Sequence, residues 1–155
     1  MDNGLLDKIQ QDLERALKER NLGIVRTLRF LLSAIHNLEI EKYPPEKGGV
    51  PSNGLPDEDV TAVIVKMAKT HRESIEAFKT GQRADLVKKE EEELSLLQKY
   101  LPEALSEETI KKLVIEAKER GLNDFGQIMK DVMAKVKGKS DGNIVSKIVK
   151  EVLGD

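Results

Sequence analysis

The stretch Lys135-Val136-Lys137-Gly138-Lys139-Ser140-Asp141-Gly142-Asn143 gathers three lysines and two glycines between two apolar-periodic segments. That composition suits the binding of an anion. Residues 124–150 hold six Lys and three Asp, a local positive surplus in a chain whose formal charge is -2. The helix that follows the turn presents N–H groups without intrahelical partners, and Gly142 permits close backbone approach. Lys137, Lys139 and Lys147 can neutralise a phosphate, and Lys150 continues the face of Lys147. The same residues fit a structural role equally well, with Gly138 as a left-handed C-terminal cap and Asp141 as an N-cap. Lys135 and Lys137 would then complement the helix dipole.

Other candidate chemistry is sparse. His71 falls on an apolar stripe between Met67 and Ile75, and Glu90 falls between Leu86 and Leu94, so both are expected to face an interior. An imidazole and a carboxylate can act as acid and base or bind a metal, but two isolated histidines make no ligand cluster in the sequence. The expectation is a hydrogen-bonded structural pair, with no metal and no cofactor. Arg26 and Arg29, three residues apart, are expected to partner Glu90 or Glu93. The run Glu90–Glu93 reads mostly as a solvated face, since four consecutive helical residues point in different directions. The chain carries no Walker loop, dinucleotide fingerprint, nucleophile elbow, HExxH or Cys, which argues against an independent catalyst.

These residues must be positioned by helices. With 35% charged, 39% hydrophobic and 3% aromatic residues, the 155-residue chain favours amphipathic helices over sheet, so the expected fold class is all-α. Leu5, Ile9, Leu13 and Leu17 mark a first helix, interrupted near Asn21 to Gly23. Ile24, Leu28, Leu31, Ile35 and Leu38 step by four and three along a second. From Tyr43 to Asp57 four prolines and three glycines impose a mobile loop. Asp57 is read as the cap of a third helix, buried along Val60, Ile64, Met67, Ile75 and Phe78 and ended by Gly81. Leu86, Leu94, Leu97 and Leu101 mark a fourth, stopped before Pro102.

Beyond Pro102, Ser106 followed by Glu107 and Glu108 starts a fifth helix with Ile110, Leu113, Val114 and Ala117 inward, ending before Gly121. Phe125, Ile128, Met129, Val132 and Val136 form a sixth, and Ile144, Val145, Ile148 and Val152 a seventh. The expected organisation is an N-terminal bundle of about four helices over 1–101, with the loop 43–57, followed by a small three-helix module over 102–155.

The segment DFGQIMKDVMAKVKGKSDGNIVSKIVKEVL resembles the closing motif of the GatB/YqeY family, a domain that is also the tail of the tRNA-dependent amidotransferase B subunit. Upstream, KTHRESIEAFKTGQRADLVKKEEEELSLLQKYLPEALSEE resembles the stand-alone members, particularly at Gly81, Arg83, Asp85, Leu86, Glu90, Tyr100, Leu101 and Pro102. The two motifs stand in the family's order and span nearly the whole chain. The departure is the loop 43–57, which is longer and richer in Pro and Gly than the family's usual link.

The resemblance implies a helical first domain, a three-helix tail that engages the body of tRNA, and no cofactor. The amidase and phosphorylating sites of that glutamine-dependent carbon–nitrogen ligase belong to parts absent here. By carry-over Lys135, Lys137, Lys139, Gly142, Lys147 and Lys150 become candidate RNA contacts. Phe125, the tail's one aromatic residue, is assigned by its spacing to the core, so backbone and shape recognition is expected rather than base stacking. The expected function is therefore a non-catalytic accessory to tRNA-dependent amidation. The alternative is a protein–protein adaptor for an amidotransferase or aminoacyl-tRNA synthetase, which an exposed apolar groove would support. No apolar run reaches membrane-spanning length and the start lacks a signal-like pattern, so no membrane partner is expected. The absence of Cys is read as a cytoplasmic setting.

Overall fold

A computed structural model describes residues 4–102, 105–136, 139–140 and 142–154. The fold among them is all-helical: α1 (Leu5–Lys18), α2 (Leu22–Lys42), a short 3-10 turn (Pro45–Lys47), α3 (Asp57–Thr80), α4 (Ala84–Gln98), α5 (Glu107–Glu119), α6 (Phe125–Val136) and α7 (Gly142–Leu153). The chain divides into two compact units, Met1–Tyr100 and Leu101–Asp155.

In the first unit α3 packs most extensively on α4, α1 lies on α2, and α2 bridges to α3. Ile9, Leu28, Leu31, Ile35, Val60, Ile64 and Leu97 are fully buried there. One sequence assignment fails on α1, where Leu17 is 45% exposed and Ala16 is buried instead. A four-residue step advances about 40° beyond a full turn, so a strict repeat of four rotates off the inner face by its fourth member. Ile9, Leu13 and Ala16 step by four and three and keep the face.

Three helices end in the same way. The amide of Asn21 bonds to the Ala16 carbonyl, that of Arg83 to Phe78, and that of Leu122 to Ala117. Each closure needs a left-handed residue, supplied by Arg20 (φ 56°), Gln82 (φ 57°) and Gly121 (φ 98°). Gly81, expected to terminate α3, has φ -78° and leaves the unfavourable conformation to Gln82.

Helix starts also redistribute their partners. Asn21 Oδ1 accepts from the Ile24 amide, and Ser106 Oγ accepts from Thr109, both within their own helices. Asp57 does not cap its own helix; it is the first residue of α3, and its Oδ1 accepts from the Leu5 amide at 2.8 Å. The cap of α1 therefore comes from 52 residues away, because Gly4 at that position has no side chain to offer. A Cβ on Gly4 would stand 3.2 Å from the same Asp57 oxygen, so the glycine makes room for its substitute.

The loop between α2 and α3 is pinned at both ends. Leu55 is buried, and the Tyr43 hydroxyl donates to Asp59 Oδ2 at 2.6 Å while Lys42 Nζ donates to Oδ1 at 2.5 Å. Asp59 is only 7% exposed, and these two donors hold its carboxyl below the usual carboxylate range.

In the second unit α5, α6 and α7 pack pairwise around Ile110, Val114, Ala117, Ile128, Val132, Val136, Val145, Ile148 and Val149. Ile144, assigned to the inner stripe, is 42% exposed; Val145, Ile148, Val149 and Val152 step by three and four and fill the face. No helix of the described residues is long and apolar enough to cross a membrane.

Candidate functional site

The basic turn lies between α6 and α7. Its Lys139 is held by main chain on both sides, its amide bonding to the Val136 carbonyl and its carbonyl accepting from the Leu105 amide at 2.9 Å. The Lys139 side chain is exposed. A turn fixed by its backbone presents that ammonium with less ordering to be done on binding. Lys147 and Lys150 are both exposed, one turn apart on α7, while Val145, Ile148 and Val149 anchor the opposite side of that helix in the core.

The other predicted contacts are placed differently. Lys135 Nζ lies 3.4 Å from Asp131 Oδ2, a carboxylate that Arg120 also engages at 2.6 Å. Asp131 is held low by Arg120 first and Lys135 second. Lys135 thus starts from an existing pair and is the least available lysine of the set. Gly142 opens α7, and a Cβ there would meet nothing closer than Met133 Cε at 3.8 Å, so packing does not demand glycine. Lys137, with Gly138 and Asp141, lies outside the described residues.

Phe125 departs from expectation. It is 36% exposed, and Lys150 Nζ stands 5.9 Å from its ring centroid. As the first residue of α6 its Cα–Cβ bond tilts toward the helix N-terminus, so the ring overhangs the helix end instead of entering the core. Apolar spacing alone assigns it inward because periodicity ignores where the helix begins. The basic surface therefore includes one accessible aromatic face beside a lysine, an arrangement that can accept a stacked base as well as a phosphate.

In the first unit the polar residues of the upstream motif have structural partners. Arg83 donates through Nε and Nη2 to Asp85, both at 3.3 Å, at the start of α4. Tyr100 is buried and donates to Asp12 Oδ2 at 2.6 Å, with Lys8 Nζ 5.7 Å from its ring. His71 Nδ1 lies 2.5 Å from Glu90 Oε2, the pair expected from their matching stripes. Glu93 Oε2 also approaches, at 3.7 Å. Arg26 and Arg29 are both exposed and, among the described residues, form no ion pair with Glu90 or Glu93. The solvated reading of the Glu run holds for Glu91 and Glu92, while Glu90 and Glu93, a turn apart, face His71.

An apolar groove of about 640 Å³ runs between α2 and α3, lined by Phe30, Ala34, Leu38, Val63 and Met67, with His71 and Glu90 also on its wall. Phe30 is 68% exposed there.

A two-unit helical body with a lysine-bearing three-helix tail defines an amidotransferase-related domain class, and comparison with known proteins agrees. The Yqey-like protein family matches residues 6–153, and the chain belongs to that family. It is 32% identical over 99% of its length to altered inheritance of mitochondria protein 41, mitochondrial, of Pyrenophora tritici-repentis, covering 83% of that protein. The protein of that name in Clavispora lusitaniae is 31% identical over 83% of this chain and 74% of its own length. A stretch of 62 residues, 40% of this chain, is 36% identical to a glutamyl-tRNA(Gln) amidotransferase subunit of Thermococcus sibiricus, of which it covers 10%. This last match bears out the relationship to amidotransferase subunits.

The cytoplasmic placement is corrected by these findings, since relatives aligned over most of the chain are named as mitochondrial proteins. A lack of Cys removes disulfides from consideration, but it does not choose among compartments in which none are needed.

Proposed function

We propose that this protein is a non-catalytic accessory to tRNA-dependent amidation that contacts tRNA through the α6–α7 face of its second unit. The observation that carries the reading is the exposure of Lys139, Lys147 and Lys150 around the N-terminus of α7, on a backbone-fixed turn. Helix N–H groups and lysines together suit phosphate oxygens. Support also comes from the similarity to an amidotransferase subunit whose name carries glutamyl-tRNA(Gln). In this reading Lys139, Lys147 and Lys150 contact phosphates, Phe125 offers a stacking face, and Lys135 contributes only after leaving Asp131.

The test is binding of purified protein to bulk tRNA across a salt series, beside a Lys139→Ala, Lys147→Ala, Lys150→Ala variant of unchanged helicity. Removing each phosphate-binding lysine should flatten the slope of log affinity against log salt by about 0.7–0.9. No binding of the wild type at low salt removes the RNA reading.

The groove between α2 and α3 favours a second reading, an adaptor for an amidotransferase or a synthetase. An apolar channel with Phe30 exposed on its rim is the kind of surface that receives an amphipathic helix. Phe30→Ser would weaken such a complex and leave tRNA binding unchanged.

A further inference from the structure

His71, Glu90 and Glu93 offer three metal-ligating atoms that all lie within 4.8 Å of one another, the one such group among the described residues. His71 comes from the middle of α3, and Glu90 and Glu93 are one turn apart on α4, so the most extensively packed helix pair of the unit fixes their separation. Their side chains are 14%, 19% and 21% exposed.

Hydrogen bonding accounts for only part of this convergence. Nδ1 of His71 satisfies Glu90 at 2.5 Å, while Glu93 Oε2 at 3.7 Å is beyond hydrogen-bond range of the same nitrogen. Two carboxylates thus meet at one imidazole in a half-buried site, and Arg26 and Arg29 of α2, expected beside them, pair with neither. A divalent cation resolves that charge imbalance directly. Ligands around a tetrahedral ion with bonds of about 2.0–2.2 Å stand about 3.3 Å from one another, and the two observed separations bracket that spacing. Small side-chain adjustments suffice.

We propose that His71, Glu90 and Glu93 form a binding site for a divalent first-row transition ion of the Zn2+ type. One imidazole nitrogen and two carboxylate oxygens suit Zn2+, Mn2+ or Co2+ and do not suit Cu(I), which prefers sulfur. Because His71 and Glu90 also line the α2–α3 groove, the remaining coordination position opens toward that groove, where water or a donor from a bound molecule can complete the shell. The site is independent of the tRNA reading and shares no residue with the basic face of the second unit.

The experiment is calorimetric titration of the full chain with Zn2+ after chelator treatment, together with Co2+ absorption as a report on nitrogen and oxygen ligation. The expected result is saturable 1:1 binding that raises the thermal midpoint and is reversed by chelator. Glu93→Gln leaves the His71–Glu90 bond intact, so it should keep full helicity and yet lose affinity by about tenfold or more. His71→Gln should abolish the Co2+ spectrum, and His36→Ala should change nothing, since His36 lies with Glu39 on α2. Absence of 1:1 binding, or equal binding by Glu93→Gln, His71→Gln and wild type, overturns the proposal and leaves the cluster a structural ion pair.

Discussion

The Tyr100 hydroxyl donates to the Asp12 carboxylate at 2.6 Å, joining residues 88 positions apart and fixing the last turn after α4 to α1. Burial pushes the Tyr100 phenol up first, and its bond to Asp12 pushes it further in the same direction. The neutral phenol is the form the fold requires.

Tyr100→Phe should therefore lower stability at neutral pH by about 1 kcal/mol, below the usual value for a bond to a charged group because water reaches Asp12. The pH dependence has a definite sign. With the folded group raised above its unfolded value near 10, its contribution is complete below about pH 10 and is lost as pH rises toward the folded value. Urea midpoints at pH 8 and pH 11 should converge between wild type and variant; a constant gap would refute the assignment.

Asp59 gives the opposite dependence. Lys42 and Tyr43 hold its carboxyl low, so its contribution is present above the unfolded value near 3.9 and is lost as pH falls through the depressed folded value. Asp59→Asn should lower the urea midpoint at pH 7 and narrow the difference from wild type in acid. A variant as stable as wild type at pH 7 would mean the loop base is held by Leu55 alone.

Asp57→Ala should cost about 1 kcal/mol, the usual value for a missing helix cap, although its own helix would keep the rest of an acidic first turn in Glu58 and Asp59. Exchange of the Leu5 and neighbouring α1 amides should accelerate in the variant more than that of α3 amides. The reverse order would show that Asp57 acts on α3.

Gln82→Gly should raise stability by about 0.5 kcal/mol, since glycine relieves a left-handed residue at some entropic cost. Thermal unfolding of the full chain measures it directly.

Gly142→Ala should leave helicity and thermal midpoint unchanged or slightly higher, because the added methyl finds ordinary contact with Met133. If the bare backbone at the start of α7 receives a phosphate, tRNA affinity should nevertheless fall several-fold. Unchanged affinity would confine the interaction to the lysines.

Much of this molecule is legible along the chain because helices announce themselves locally. The stripes through Leu28, Leu31 and Ile35, and through Ile110, Val114 and Ala117, follow from 3.6 residues per turn, and Ser106 caps α5 as its type and position require. The family motifs at Gly81–Pro102 and in the tail are equally readable, since they are strings of residue types. Leu17, Phe125 and Ile144 show where spacing misleads: a repeat of exact fours drifts off a helix face, and residues in a first turn overhang the helix end.

By itself the sequence determined an all-helical chain, its helix-forming segments, and a local excess of lysine near residue 139, because backbone propensity, periodicity and charge are properties of neighbours. Tertiary structure alone decided which carboxylate serves which donor. It set Asp57 on α1, Asp12 on Tyr100, Asp131 between Arg120 and Lys135, and Glu93 beside His71, since such pairings depend on the distance between helices far apart in the chain.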